Sequence, residues 1–345
     1  MLRVLHIVRR FGPVGGMERY VWRLTHELAD LGVKVEVLCE TLEAPCDHRI
    51  QVHRVSVSSE RRRWKAMRDF RVCCAQFWEA YPDKVNLIVH SHERSVFHRV
   101  TTFHGPPIGE YFTNAPWWKR FQPRVKAWAQ FEKEEVCGSQ VKTVIPVSSK
   151  IGNSLKVIYP DVGRTITMPG WPGTDAPNQK QVMSNGSKLL FVGQEWKRKG
   201  LDIAIDAYLG VKKVDPFVTL DIYGVSTSDV PRHLKVQDQG VTFHGWQREV
   251  PFGLYDLLIH PARNEPFGMV VPEARASGLS VVMSNEVGAR DLAFSGVKIV
   301  DITSPSALWS RAIIDALSEG KFEPEVCWTW FDLAKWHVES VYAEF

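Results

Sequence analysis

The residues best able to do chemistry lie in one segment of the second half of the chain, between His260 and Gly278. Two carboxylates, Glu265 and Glu273, are eight residues apart there, with the loop Phe267-Gly268-Met269 between them. A helix-capping role would explain either carboxylate alone, but it does not explain the pair with a glycine-containing loop between them. At about 1.5 Å of rise per helical residue, the two side chains can lie roughly 12 Å or more apart. Such a pair can contact different parts of one extended ligand.

A cationic turn precedes this segment. Lys197, Arg198 and Lys199 follow an apolar, strand-like run and precede a helix. Such a cluster is usually a solvated charge run, but three adjacent cations exceed what structural ion pairs need, and the C-terminal end of a strand suits an anionic ligand. The sequence therefore predicts an anion site in the second half of the chain.

A glycine turn, Gly12-Pro-Val-Gly15-Gly16, lies between the first predicted strand and the first predicted helix. Bare backbone amides and the helix dipole favour a phosphate at such a place. A tight turn that needs glycine for geometry alone explains the same motif equally well. The motif by itself leaves both interpretations open.

The elements that carry these motifs alternate between strand and helix. Residues 2–8 form an apolar run, helical periodicity follows until Gly32, and residues 33–39 form a second strand, which together make a βαβ unit with parallel strands. A second alternation runs from residue 188 to residue 300, after a stretch rich in Pro, Gly and Asn. Ligands of doubly wound sheets bind at the carboxyl ends of the strands. The predicted fold is therefore α/β, with two Rossmann-like doubly wound domains facing each other across a cleft.

Composition and charge narrow the class of protein. A chain of 345 residues with 44% hydrophobic and 24% charged residues excludes disorder and fibre and predicts two domains. No apolar run approaches the roughly 20 residues of a membrane span, and no signal-peptide pattern begins the sequence, so we expect a cytoplasmic protein. The six cysteines form no CxxC pair, and no metal or disulfide is assigned to them. Residues 1–168 hold 26 Lys and Arg against 17 Asp and Glu, whereas residues 169–345 hold 17 and 22, which indicates different partners for the two halves.

Several motifs together resemble the retaining glycosyltransferases of the GT-B fold, specifically glycosyltransferase family 4. They are the two glutamates with seven residues between them, the Gly-Gly turn, Arg198-Lys199-Gly200, Phe103-His104-Gly105, Pro146-Val147-Ser148 and Ala276-Ser-Gly-Leu-Ser-Val-Val282. Their order and spacing follow the family over nearly the whole chain. Residues 198–206 and 257–262 are most similar to bacterial lipopolysaccharide core glucosyltransferases.

The resemblance implies the groups that bind the donor diphosphate. Gly15 and Gly16 match the diphosphate-binding turn of the first domain, and Arg198 and Lys199 match the cations that neutralise the leaving pyrophosphate. Many members carry an additional Arg where this sequence has Gln194. Phosphate binding would then depend on Arg198 and Lys199.

The resemblance also implies the groups around the sugar and the ribose. Glu265 matches a carboxylate beside the donor sugar, and the amides of Phe267, Gly268 and Met269 would hold the sugar hydroxyls and the phosphate. Glu273 matches the ribose ligand. His104 matches a histidine that contacts the donor sugar near the reacting carbon.

The implied reaction is transfer of a hexose, with retention, from a UDP- or GDP-linked sugar to a lipid-linked or phosphorylated glycan, with lipopolysaccharide core or a related polysaccharide as the expected acceptor. The sequence contains no Asp-x-Asp, which argues against a metal-bridged diphosphate, and neither a metal nor a cofactor is expected. The implied domains are residues 1–168 for the acceptor, 169–186 as linker, 187–327 for the nucleotide-sugar, and 328–345 as a helix that returns to the first domain.

Two basic, Trp-containing segments of the first half predict a membrane surface. Residues 61–71 and 117–128 combine Lys and Arg with Trp, the residue types that settle at an anionic bilayer. The alternative is a pair of solvated helices whose Trp side chains pack inward. No nucleic-acid-binding motif accompanies these segments. We expect a peripheral protein on the anionic inner face of the cytoplasmic membrane, without a nucleic-acid partner.

Three other functions are compatible with parts of the sequence. Glu40, just after the second strand, mimics the acidic ribose ligand of an NAD-dependent oxidoreductase, which would leave the pair Glu265 and Glu273 without a role. A catalytically inactive GT-B scaffold would be expected to lack one of His104, Lys199 or the two glutamates, and all four are present. A nucleotide-sugar epimerase or a phosphorylase is the third alternative within this fold.

Overall fold

The chain divides into two compact units. The computed structural model describes residues 1–114, 116–164, 166–175, 187–236, 239–320 and 322–345. Unit 1 comprises Met1–Gly173 and Thr329–Phe345, and unit 2 comprises Thr174–Trp328. The predicted linker, residues 169–186, spans this division, and its residues 176–186 lie outside the described residues.

Unit 1 is built on a six-stranded parallel sheet of order β5-β3-β1-β6-β7-β8. Its strands are β1 Arg3–Ile7, β2 Arg10–Phe11, β3 Lys34–Cys39, β4 Thr41–Leu42, β5 Gln51–Arg54, β6 Leu87–Ser91, β7 Val100–Phe103 and β8 Thr143–Pro146, of which β2 and β4 form a separate parallel pair. Its first five helices are α1 Gly16–Asp30, α2 Arg63–Ala80, α3 Ile108–Asn114, α4 Pro123–Cys137 and α5 Ser149–Ile158. Strands β6, β7 and β8 are buried throughout, as expected for parallel strands covered on both faces.

Unit 2 repeats the same topology, with the strand order β11-β10-β9-β12-β13-β14. Its strands are β9 Lys188–Val192, β10 Thr219–Tyr223, β11 Val241–Gly245, β12 Leu257–His260, β13 Ser280–Ser284 and β14 Val297–Val300. Its helices are α6 Trp196–Lys199, α7 Leu201–Lys212, α8 Val270–Ala276 and α9 Ser306–Ser318. Trp309 of α9 is fully buried in a core shared with α7 and the sheet, and the Ser310 hydroxyl donates to the Ala207 carbonyl at 2.9 Å.

The C-terminal segment belongs to unit 1. Helix α10, Trp330–Trp336, begins at a capping box in which Thr329 and Asp332 exchange hydrogen bonds. Its Trp330 ring lies 6.0 Å from the Tyr20 ring of α1, and Tyr342 beyond the helix hydrogen-bonds His90 of β6 at 2.7 Å. These contacts fix the end of the chain to the face of the first sheet.

The predicted fold class, two Rossmann-like α/β domains, is confirmed. Helix α8 begins at Val270, and Pro272 lies in its first turn, where the missing N–H of proline costs little. Among the described helices, none combines the length and the apolar character that crossing a bilayer requires.

Candidate active site

The strand order of unit 2 reverses between β9 and β12, which pair directly with Leu257 beside Leu189. Loops that follow neighbouring strands at such a reversal diverge and leave a crevice for ligands. The cationic turn follows β9, and Glu265 follows β12. The topology therefore brings these two sequence motifs together although 66 residues separate Lys199 from Glu265.

The cations converge on a single carboxylate oxygen. Lys199 Nζ and Arg198 Nη1 both donate to Oε2 of Glu265, the latter at 3.1 Å. Arg198 also donates through Nε to the exposed Glu195 at 2.5 Å and through Nη1 to the carbonyl of Asn264 at 2.9 Å. Lys197 is exposed and forms no ion pair with any described residue. Two of the three predicted cations thus belong to the cluster, and the third does not.

Two glycines allow this close approach. Gly200 adopts a left-handed conformation with φ of 76°, and a Cβ atom there would overlap the carbonyl oxygen of Pro261 after β12. A Cβ on Gly193 would lie 2.8 Å from Cγ of Lys199. The Arg263 amide donates to the Arg198 carbonyl at 2.8 Å and links the backbones of the two loops. The position of the cations is therefore set by backbone contacts as well as by the ion pairs.

Glu265 is 8% exposed and remains ionised. Burial raises the pKa of its carboxyl, but the positive charges of Lys199 and Arg198 outweigh burial and hold the pKa below its ordinary value. The Lys199 and Arg198 side chains are 16% and 37% exposed, so both cations are more accessible than their counter-ion. Part of each cationic side chain therefore remains accessible to solvent while the carboxylate is buried.

His260, the last residue of β12, forms the inner wall of this cluster and was not predicted from the sequence. It is fully buried, and its Nε2 lies 3.9 Å from Oε2 of Glu265. Burial, with a smaller contribution from Lys199, lowers the pKa of His260 to about 3. The imidazole is thus neutral, and neither ring nitrogen has a hydrogen-bond partner among the described residues.

The loop after Glu265 presents backbone amides. Glu265 forms a parallel bridge with Val287, and the Phe267 carbonyl accepts from Ala289 at 2.7 Å, which fixes the loop. Gly268 has a φ of 95° and leaves only 3.0 Å between a Cβ and Cγ1 of Val287, so glycine is required there. In the described part of the chain, the amides of residues 267–269 have no acceptor. Glu273 follows in the first turn of α8 and is partly buried.

In unit 1, the glycine turn precedes α1, with Gly15 as its extended N-cap residue. Gly12 is required by packing, because a Cβ there would lie 2.7 Å from Cβ of Glu43. Gly16 has no such reason, since a Cβ there would meet nothing within 4 Å and its φ is not positive. The geometry of the turn therefore does not account for Gly16, whereas close approach of a ligand to the backbone would.

His104 follows β7 and is partly buried. Its Nε2 lies 3.1 Å from Nδ1 of His92, and the Tyr20 ring packs edge-on at 4.8 Å. Burial lowers the pKa of His104 to about 3. His104 therefore acts as a neutral hydrogen-bonding group and not as a cation.

Glu40 does not resemble a ribose ligand. It is 3% exposed, and its Oε2 accepts from Nε and Nη2 of Arg9 at 2.9 and 2.7 Å. Its carboxylate is therefore part of an internal ion pair of unit 1. This removes the feature that favoured an NAD-dependent oxidoreductase.

The basic segments of unit 1 have different environments. Trp117, Trp118 and Phe121 are 69%, 57% and 62% exposed, so inward packing is wrong for both of these tryptophans. Trp128 is partly buried, with the Arg94 guanidinium 4.9 Å from its ring. Among the cations, Arg61, Arg62 and Arg63 are exposed, whereas Arg71 is buried and paired with Glu134. We call Trp117, Trp118, Lys119, Arg120 and Phe121 the aromatic turn.

Comparison with known proteins assigns both halves of the chain. Residues 14–166 match the family model described as Glycosyltransferase Family 4, and residues 186–319 match the model described as Glycosyl transferases group 1. The lipopolysaccharide glucosyltransferase WaaG of Escherichia coli (strain K12) is 23% identical over 303 residues, which cover 81% of this chain and 79% of that protein. An uncharacterized 41.2 kDa protein in the cps region of Klebsiella pneumoniae is 29% identical over 152 residues, 42% of this chain and 40% of that protein.

Solved structures share the fold. The crystal structure of WaaG, a glycosyltransferase involved in lipopolysaccharide biosynthesis, superimposes with a TM-score of 0.74 at 19% identity and covers 98% of this chain and 95% of its own. Anabaena HepE, in complex with UDP and glucose, has a TM-score of 0.62 at 16% identity, with coverages of 100% and 95%.

The fold and the family models define an enzyme, a glycosyltransferase of the GT-B fold. Within that class, the chain belongs to the glycosyltransferases that combine a family 4 N-terminal domain with a group 1 C-terminal domain, and it is related to the lipopolysaccharide core glucosyltransferases. The oxidoreductase interpretation is wrong.

Proposed function

We propose that the chain transfers a hexose, with retention and without a metal ion, from a nucleoside-diphosphate sugar to a cell-surface glycan of the lipopolysaccharide-core class. The convergence of Arg198 and Lys199 on the buried Glu265 is the observation that carries this proposal. The E. coli relative, a lipopolysaccharide glucosyltransferase, supports the acceptor class. The complex of Anabaena HepE with UDP and glucose supports the donor class.

The charges of the cluster fit the departure of a diphosphate. Breaking the bond to the anomeric carbon builds negative charge on the phosphate and positive charge on the sugar. Lys199 and Arg198 are placed to stabilise the phosphate charge, and the amides of residues 267–269 supply further donors. Protein cations then take the role that a bridging metal has in other glycosyltransferases.

The remaining site residues divide between sugar and nucleotide. Glu265 lies beside the donor sugar, Glu273 binds the ribose, and Gly15 and Gly16 offer backbone amides to the diphosphate. His104 contacts the sugar near the reacting carbon. The acceptor attacks from the face that the leaving group departs from, and a phosphate oxygen takes its proton, which gives retention.

Slow release of free nucleotide tests the donor class. The protein would be incubated with UDP-, GDP- and ADP-sugars, and the liberated diphosphate measured. We expect release from one nucleotide class, reduced at least tenfold by Glu265→Gln because the substitution removes the buried charge that positions both cations. Glu195→Gln is the matched control, because Glu195 also pairs with Arg198 but is exposed, and we expect release within twofold of wild type. No release from any donor would contradict the proposal.

We propose that unit 1 binds an anionic membrane surface through the aromatic turn and the exposed residues Arg61, Arg62 and Arg63. Exposed aromatic side chains next to cations insert at the interface while each cation adds about 1 kcal/mol near anionic lipid, screened by salt. We expect sedimentation with anionic vesicles that weakens, but does not vanish, at high salt.

Serine substitution of Arg61, Arg62, Arg63, Lys119 and Arg120 tests this surface. We expect binding to anionic vesicles to fall strongly, whereas serine at the exposed Lys213, Arg232 and Lys235 of unit 2 leaves it unchanged. Equal binding of wild type to neutral and anionic vesicles, or no loss in the first variant, would refute a membrane role.

A further inference from the structure

Three histidines of unit 1 form a hydrogen-bonded chain that ends at His104. His104 Nε2 lies 3.1 Å from His92 Nδ1, and His92 Nε2 lies 3.0 Å from His6 Nδ1. His6 is on β1, His92 directly follows β6, and His104 directly follows β7. Since β1, β6 and β7 are adjacent parallel strands, their carboxyl ends place the three rings in a row.

The two hydrogen bonds must run in the same direction. A hydrogen bond between two neutral imidazoles joins one N–H to one lone pair, and each neutral ring has one of each. All three rings are neutral, because burial lowers the pKa of His6 and His104 to about 3 and that of His92 well below its ordinary value. If His92 donates through Nδ1 to His104, it must accept through Nε2 from His6. The tautomer of His104 is therefore coupled to a ring two histidines away.

The inner end of the chain favours one direction. Nε2 of His6 is completely buried and has no hydrogen-bond partner among the described residues. If His104 donated to His92 and His92 donated to His6, Nε2 of His6 would carry a proton without an acceptor. Orphaned buried N–H groups are rarer in proteins than under-satisfied acceptors. The outward direction leaves only a lone pair there and puts the outermost proton on Nδ1 of His104, which has no partner within the described part of the chain.

His90 restrains the row of three histidines, and its hydrogen bonds argue against a metal site in this cluster. His6, His90 and His92 are close enough together to suggest one. However, Nδ1 of His90 pairs with Tyr342 at 2.7 Å and Nε2 with Thr102 at 2.8 Å, while both nitrogens of His92 are used in the chain. A metal would have to break several of these bonds. The His90 ring instead stacks on His92 at 4.3 Å and restrains its rotation.

We propose that His92 and His6 are positioning residues that fix His104 as the tautomer with its proton on Nδ1, so that His104 donates a hydrogen bond to an oxygen of the donor sugar. The hydrogen bond from His104 to a sugar oxygen rests on the proposed function, whereas the tautomer of His104 does not depend on it.

The tautomers can be read directly in the full chain without any substrate. Long-range proton–nitrogen correlation spectra of the protein labelled with ¹⁵N-histidine distinguish protonated from unprotonated ring nitrogens. We expect His104 and His92 to carry their protons on Nδ1 and to have unprotonated Nε2 atoms. A proton on Nε2 of His104, or stoichiometric zinc in the purified protein, would overturn the proposal.

Substitutions at His92 separate the two hydrogen bonds. His92→Asn places an amide near Nδ1 and can keep the bond to His104, whereas His92→Gln places it near Nε2 and can keep only the bond to His6. We expect His92→Gln to give a mixture of His104 tautomers and to lower kcat/KM for the donor about tenfold, the value of one hydrogen bond. His92→Asn keeps a bond to His104 but loses the bond to His6, so its amide can either donate or accept, and we expect both His104 tautomers with a smaller loss of activity than in His92→Gln.

The control is His98→Gln, which removes another buried histidine of unit 1 that bonds Ser95 and the Glu135 carbonyl outside the chain. It should leave the His104 spectrum unchanged. Equal His104 spectra in His92→Gln and wild type would overturn the coupling even if the enzyme were active. Failure of the proposed function would be recognised separately, as absent donor turnover in wild type with the predicted spectrum intact.

Discussion

Units 1 and 2 have the same strand order, but the side chains at the equivalent reversal point differ in charge. In unit 2, the loops after β9 and β12 carry a buried carboxylate and two cations. In unit 1, the ends of β1 and β6 carry neutral imidazoles linked to one another. This topology fixes where polar groups meet, whereas the residues at the strand ends decide whether the site is charged or neutral.

The same contrast appears in the titration of the two units. Six histidines of unit 1 have pKa values lowered by burial, and they are His6, His90, His92, His98, His104 and His337. In unit 2, burial lowers the pKa of His260. Lowering the pH should therefore affect the stability of the two units differently.

The largest expected effect is loss of unit 1 at mildly acidic pH. Below about pH 6.5 these histidines bind protons in the unfolded chain but stay neutral in the folded chain. The free energy of unfolding therefore decreases as the pH falls, by up to about 1.4 kcal/mol per pH unit for each histidine. Glu93 and Glu135, whose pKa values burial raises to about 7, act in the opposite direction because their folded forms keep the proton. Glu132, whose pKa burial also raises, acts with these two carboxyls. Because six histidines outnumber three carboxyls, the stability of unit 1 should fall more steeply with falling pH than that of unit 2, where His260 acts.

Hydrogen exchange with mass spectrometry, corrected for intrinsic rates, would measure this difference at about pH 7 and about pH 5. We expect peptides of residues 1–173 to lose protection first, while peptides of residues 187–320 keep it. Loss of protection in both units at one pH, or in unit 2 first, would contradict the expected difference in acid stability between the units.

The second effect concerns the charged site. Lys199→Ala should lower turnover at saturating donor by at least tenfold, because a preorganised cation in a water-poor site contributes several kcal/mol to a departing diphosphate. Arg198→Ala should act similarly, since Gln194 offers no replacement charge. Lys197→Ala is the control, and its turnover should stay within twofold of wild type. Unchanged turnover in Lys199→Ala would remove Lys199 from the site.

A smaller effect is expected at the glycine turn. Gly16→Ala should leave the melting temperature unchanged or slightly higher, because the new methyl group meets nothing and alanine favours a helix. It should nevertheless raise KM for the donor several-fold, because the methyl group lies where the diphosphate approaches the backbone. Steady-state kinetics that match wild type would mean that Gly16 has no part in donor binding.

The smallest effect is expected from chelation. EDTA should leave activity within about twofold, because Lys199 and Arg198 neutralise the leaving group in place of a metal. A strong loss that magnesium or manganese restores would contradict this mechanism. Turnover assays with and without added divalent ions give the answer.

The charged site was predictable from sequence, because short-range signals and topology agree there. Arg198, Lys199 and Glu265 each follow a recognisable parallel strand, and neighbouring strands bring their C-terminal ends together. The alternative interpretation of Glu40 as a ribose ligand is wrong for a reason that sequence does not reveal. Arg9 follows the adjacent strand β1 and reaches the carboxylate first.

The neutral site was only partly predictable. His104 was assigned through its motif, but the bonds from His92 to His6 and His104 depend on side-chain distances across three strands whose residues are 12 to 86 positions apart. No periodicity encodes such contacts. Arg71 is a similar case, since its neighbours in sequence suggest an exposed cation, whereas its position on α2 turns it inward to Glu134.

Calorimetry in EDTA would measure the affinity of the free nucleoside diphosphates for wild type, Lys199→Ala and Lys197→Ala. We expect wild type to bind UDP or GDP without a metal, Lys199→Ala to weaken this binding at least tenfold, and Lys197→Ala to change it less than twofold. Binding that requires a divalent ion, or equal affinities in the two variants, would show that the cluster around Glu265 is not the diphosphate site.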